Sequence, residues 1–206
     1  MKDLGVYFDS KMTFNVHIEK TVQSAYATLG FIIRNSDSFQ QISTLNSLYF
    51  AYVRSKMEYC SVVWAPYYQV YRDMIEKVQR RFLKYIYYRT HGVYPERGYD
   101  HSLLLDEFYF SSLEKRRTIA CLVFMYKLVN EHISCPSLKN QIDFYSHRDS
   151  SRLQRTFACP RANTNLMLKS PIYYMTSTFN RILGRTDVLN CSLNEFVAEV
   201  SSNYRE

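Results

Sequence analysis

From Thr13 onward the apolar positions Phe14, Ile18, Val22, Ala25, Leu29 and Ile32 recur at spacings of three and four. This pattern predicts an amphipathic helix ending near Asn35. A second helix is expected behind a capping box of Ser38 and Gln41, with Ile42, Leu45, Leu48, Tyr49, Tyr52 and Val53 on one side. It should run to about Tyr59, where "SVVWAP" closes it, and a short polar turn makes the first two helices antiparallel neighbours. A third helix is predicted from roughly Tyr68 to Tyr88 and is two-sided. At about 100° per residue, Ile75, Val78, Phe82 and Ile86 fall on one face and Lys77, Arg80, Arg81 and Lys84 on the opposite one.

The ends of this helical stretch differ from its middle. "LGVYFD" near the N-terminus alternates and is rich in β-formers, yet a lone strand is not stable in water. The expectation is an orphan strand. After the third helix, "RTHGVYPERGYDH" carries two glycines and a proline and is the candidate boundary between two helical halves. Beyond it, "HSLLLDEF" reads as a short helix. Ser111 and Glu114 offer a capping box for a long helix to about His132, with Leu113, Ile119, Leu122, Val123, Tyr126 and Val129 inward. A short turn or helix begins at Pro136, residues 145 to 171 read as irregular and basic, and two more helices are expected. One covers about Ile172 to Leu183; the other is capped by Ser192 with Glu195 and runs to about Asn203. The predicted class is all-α, a multi-helix bundle or bundles with a short orphan N-terminal β-strand.

Composition narrows what such helices serve. With 206 residues, 47% hydrophobic and 22% charged, disorder as the main state is not expected. The net charge of +7 and a pI near 9.1 make nucleic acid the first partner to consider and an anionic membrane surface the second. No run reaches the roughly 18 apolar residues of a spanning helix, and "MKDLGVYFDSK" lacks the apolar core of a signal peptide. The expectation is an intracellular chain, in nucleus or cytoplasm, with no membrane partner. Cys60, Cys121, Cys135, Cys159 and Cys191 form no C-x-x-C pair, which favours reduced thiols. His132 and Cys135, with Cys159 far behind, lack the second close ligand pair a zinc site needs, so no metal is expected.

Catalytic patterns do not assemble. The chain has no glycine-rich phosphate loop, G-x-S-x-G elbow or H-E-x-x-H motif, so no catalytic residue and no cofactor is assigned. Basic and aromatic clusters stand out instead. Lys77, Arg80, Arg81 and Lys84 form a stripe suited to phosphates, and Arg89 and Arg97 lie among Tyr87, Tyr88, Tyr94 and Tyr99, which can stack on unpaired bases. Arg148, Arg152, Arg155 and Arg161 form a looser basic run. Lys115, Arg116 and Arg117 lie in the first turn of a predicted helix, where cations oppose the dipole; either Glu114 compensates or an external anion is expected. The candidate nucleic-acid contacts are therefore Lys77, Arg80, Arg81, Lys84, Arg89, Arg116, Arg117, Arg148, Arg152 and Arg155. Composition alone leaves the third helix open between a solvated charged face and a binding surface.

Five segments in order, "LGVYFDSKMTFNVHIEKT", "LYFAYVRSKMEYCSVVWAPYY", "IEKVQRRFLKYI", "SLEKRRTIACLVFMYKLVN" and "CPSLKNQIDF", resemble the C-terminal region of reverse transcriptases from LINE-type, jockey-like non-LTR retrotransposons. The resemblance runs to about Leu183. It implies that residues 1–12 correspond to the end of a palm strand and 13–90 to a thumb-like helical bundle. Residues 91–206 would be a C-terminal helical region with its irregular basic segment. It also implies an RNA or DNA partner, a primer-template-like duplex or a structured RNA, and the palm domain of a related polymerase as a protein partner.

The metal-binding aspartates of that family, in an aromatic-Ala-Asp-Asp motif, occur nowhere in this chain. Two-metal phosphoryl transfer then has no ligands to hold its ions, and polymerisation by this chain alone is not expected. The expectation is a nucleic-acid-binding remnant of an RNA-directed DNA polymerase. Its rival is a helical protein-interaction module, or a non-functional fragment with no nucleic-acid role, motivated by the unpaired strand edge and the abundant tyrosines.

Overall fold

The computed structural model describes residues 1–145, 155–159, 161, 163–183 and 188–204. Its fold is all-α, apart from a short two-stranded sheet at the N-terminus. The expected orphan strand has a partner. β1 (Lys2–Asp3) pairs antiparallel with β2 (Val6–Tyr7) across a two-residue turn in which Leu4 and Gly5 both have positive φ, 42° and 86°. Positive φ at both turn residues matches the strand twist of a tight hairpin, and glycine takes the second position without strain.

Asp9 then organises the entry to the first helix. Its carboxylate accepts from the N–H groups of Lys11, Thr13 and Phe14 and from the Thr13 hydroxyl. Burial pushes its pKa up, but these hydrogen bonds outweigh burial and hold the carboxyl below its ordinary range. A depressed folded pKa gives stability that is present above the unfolded value and is lost as pH falls through the folded one. Asp9→Asn is therefore expected to lower stability at neutral pH and to flatten the acid limb of thermal melts recorded between about pH 2 and 6. An unchanged acid limb would contradict this role.

The chain divides into two compact units: residues 1–61 with 66–116, and residues 62–65 with 117–206. The first unit thus continues past the boundary expected near residue 90. Its core is a bundle of α1 (Asn15–Arg34), a second helical run and the long helix further on. The second run comprises α2 (Ile42–Tyr49), a π segment (Phe50–Arg54) and α3 (Ser55–Glu58). Gln41 is its N-cap, without a side-chain hydrogen bond, so the Ser38 capping box does not form.

Leu45, Tyr49, Val53 and Met57 are all fully buried. In an unbroken α-helix each four-residue step drifts by about 40°. The wide π turn removes much of that drift and keeps the four side chains on one line.

After α4 (Ser61–Trp64), where Trp64 is fully buried, comes α5 (Gln69–His91), with Ile75, Val78, Phe82 and Ile86 buried as their spacing predicts. Gly92, at φ 75°, ends α5 by donating its N–H to the Tyr88 carbonyl. The short α6 (His101–Glu107) packs on α5 through the buried Leu104 and Leu105, which carries the first unit beyond the tyrosine loop.

α7 (Leu113–Val129) does not use the expected Ser111 box. Ser112 accepts from the Lys115 N–H, the Glu114 N–H donates to Glu76 of α5, and the Ser111 carbonyl accepts from Gln79.

The second unit contains α8 (Pro136–Lys139), α9 (Asn165–Leu168), α10 (Pro171–Ile182) and α11 (Leu193–Asn203). Its core gathers Leu122, Met125 and Tyr126 of α7 with Phe157, Phe179 and Phe196. The irregular segment is anchored at Phe157, which bridges Phe144. Asn180 fixes it there, accepting from the Thr156 and Phe157 N–H groups and donating to the Phe157 carbonyl. The predicted Ser192–Glu195 capping box is present with both reciprocal bonds.

Candidate nucleic-acid interface

The stripe on α5 lines a groove. Lys77, Arg80, Arg81 and Lys84, at i, i+3, i+4 and i+7, surround a cavity of about 400 Å³ with Tyr26 and Ile33 of α1, Tyr85 of α5 and Tyr94 of the following loop. α1 and α5 are packed together in the bundle, so the core pairing that buries Phe82 and Ile86 also sets the basic face beside α1.

The groove's charged lining is cationic, and Asp100, outside that lining, is the carboxylate whose pKa the Ser102 hydrogen bonds and, after them, the Arg80 charge help to lower. No carboxylate lines the groove, and among the described residues none of its four cations forms an ion pair. Arg81 is exposed and lies 5.8 Å over the Tyr26 ring. Burial raises the pKa of the Tyr26 hydroxyl, with Arg81 opposing, so the phenol stays a neutral donor and acceptor. Arg80 is anchored by donating to the Tyr99 carbonyl, while its Nε–H is buried without an acceptor. At the groove's end the Tyr94 ring stacks on Tyr88, with centroids 4.5 Å apart and planes 7° from parallel. Tyr87 stacks likewise on His91, at 4.2 Å.

The other candidates lie elsewhere or have other partners. The Arg89 guanidinium donates to the Ser36 and Phe39 carbonyls and the Tyr85 hydroxyl, tying the end of α5 to the turn after α1. Those bonds make it a structural clamp in this conformation. Arg116 forms a two-pronged pair with Glu58, which also faces Arg54 at 3.8 Å. In place of the Glu114 or external anion expected to compensate the first turn of α7, Arg116 meets an internal carboxylate of α3, Glu76 accepts from the Glu114 N–H, and Glu114 itself pairs with Arg72.

Arg117 is a correction. It is 5% exposed, on the buried line Leu113–Arg117–Cys121, and offers no surface to a phosphate in solvent. Arg155 is exposed, whereas Arg148 and Arg152 lie outside the described residues.

Among the described residues no helix is long and apolar enough to cross a membrane, and no group of three or more His, Cys, Asp or Glu side chains could hold a metal ion. The chain matches no protein-family model, no curated protein and no solved structure.

Proposed function

We propose that the α1–α5 groove holds the sugar-phosphate backbone of a primer-template-like duplex or a structured RNA. The chain is then the thumb-like and post-polymerase region of a LINE-type reverse transcriptase, binding nucleic acid inside the cell without polymerising by itself. The observation that carries this reading is the convergence of Lys77, Arg80, Arg81 and Lys84 on one groove with no carboxylate opposite them. Clustered cations with no ion-paired carboxylate supply affinity for phosphates without reading sequence. The order of the five resembling segments supplies the polymerase part of the proposal.

Fluorescence anisotropy with an RNA–DNA primer-template and with a structured RNA tests it. Binding is expected to fall with salt at a log–log slope of about −3 to −4, as four phosphate contacts on a duplex require. Absence of saturable binding at low salt would overturn the proposal.

A further inference from the structure

α1 carries a second polar groove on its other side. It measures about 590 Å³ and is lined by Lys20, Thr21 and Ser24 of α1, Ser55 and Lys56 of α3, and Tyr7 of the hairpin, among others. At about 100° per residue, Lys20, Thr21 and Ser24 lie on the opposite side of α1 from Tyr26 and Ile33, which line the α5 groove. A helix with its side chains is about 10–12 Å across, so the two grooves are separate sites.

The second groove has a fixed wall and two oriented cations. The Tyr59 hydroxyl donates to the Leu4 carbonyl at 3.0 Å and ties the hairpin turn to the residue that follows α3. The Lys56 ammonium donates to Thr28 Oγ1 at 2.7 Å and Ser24 Oγ at 3.3 Å, which leaves the third of its three N–H donors for a ligand. The Lys20 ammonium sits 4.1 Å over the Tyr7 ring. No carboxylate lines the groove, and among the described residues neither lysine is in an ion pair. Two ammoniums held by hydroxyls and a ring, with the Thr21 and Ser24 hydroxyls on the same groove lining, form a donor set matched to the oxygens of a phosphate.

We infer that this groove is a second anion site, taking a phosphate group between Lys20 and Lys56. The phosphate belongs either to a nucleic-acid backbone passing the hairpin or to a free phosphorylated small molecule.

Calorimetric titration of the full chain with inorganic pyrophosphate, and separately with a short oligonucleotide lacking a terminal phosphate, tests the site and its source. Lys20→Ala with Lys56→Ala is expected to weaken at least one probe about tenfold or more. Lys20→Arg with Lys56→Arg is expected to retain binding. Arg80→Glu with Arg81→Glu should leave pyrophosphate binding within about twofold, since the grooves are apart. That variant separates failure here from failure of the α5 groove.

Loss of pyrophosphate affinity in the lysine variant assigns a free phosphate, and loss of oligonucleotide affinity alone assigns a backbone. Equal affinities of wild type and lysine variant for both probes overturn the site. If the lysine variant loses its helical circular dichroism, amide shifts of the intact protein decide. Pyrophosphate must then move Lys20, Thr21, Ser24 and Ser55, and movement confined to α5 overturns the site equally.

Discussion

Reversing both charges at Arg80 and Arg81 is expected to weaken nucleic-acid binding about a hundredfold at low salt, with helix content unchanged. Both guanidiniums line the α5 groove beside Lys77 and Lys84. Each substitution removes an attraction and adds a repulsion, a change of two charge units per site. At roughly 0.7 kcal/mol per unit near solvent, the double change reaches about 2.8 kcal/mol, or about a hundredfold in affinity.

The single variants differ in kind. Arg81 is exposed and its contact is with the Tyr26 ring, so Arg81→Glu alone reports charge, at about tenfold. Arg80 also holds the Tyr99 carbonyl, so Arg80→Glu loosens the tyrosine loop as well. Lys77→Glu with Lys84→Glu provides a second pair without that bond. Equal anisotropy curves for wild type and the Arg80/Arg81 variant would remove this groove from the functional reading.

The cationic wall of the α5 groove was legible in the sequence because its four cations lie on one helix, where a spacing of three and four fixes a common face. What the spacing could not give was the opposite wall. Tyr26 and Ile33 lie some fifty residues earlier and reach the groove only because α1 packs on α5. The same limit hid the internal partners of two arginines. Arg116 and Arg89 look free on their own helices, yet their partners come from elsewhere in the chain, Glu58 from α3 and Ser36 and Phe39 from the turn after α1. The second groove escaped the sequence reading altogether, since Lys20 and Lys56 are single cations on separate helices.

Local signals had the same scope for the fold. The Ser192–Glu195 box closes within one turn and was readable, whereas the start of α7 is capped partly by Glu76, thirty-eight residues away in sequence. Inward positions of α7 were under-read for another reason. Of its seventeen residues only Ala120 is exposed, so no single apolar stripe marks its buried side, and Cys121, Met125 and Leu128 were missed. The π segment lies beyond any propensity argument, and only the run of buried four-residue steps from Leu45 to Met57 hints at it.

Gln79→Ala is expected to destabilise the first unit by about 3 kcal/mol. Gln79 is fully buried on α5, its Oε1 accepting from the Tyr49 hydroxyl at 3.0 Å and its Nε2 donating to the Ser111 carbonyl at 2.9 Å. One amide thus joins the second helical run to the segment that opens α7. The Tyr49 ring is fully buried and stacks on Phe82 at 4.1 Å, so its hydroxyl cannot turn out to water. Burial also pushes its pKa far up, which keeps it a neutral donor in need of an acceptor.

Truncation to alanine strands that donor, at about 1–3 kcal/mol, and leaves a cavity besides. If the hydroxyl–amide pair is the cause, Gln79→Leu combined with Tyr49→Phe should recover about 1–2 kcal/mol relative to the sum of the singles, because an apolar pair leaves no unmet donor between them. The two units need not unfold together, so the readout is hydrogen exchange at α5 amides rather than a global melt. Additive losses in the double variant would show that Gln79 acts through its volume, and the pairing with Tyr49 would then have no part in holding α5 against the second helical run.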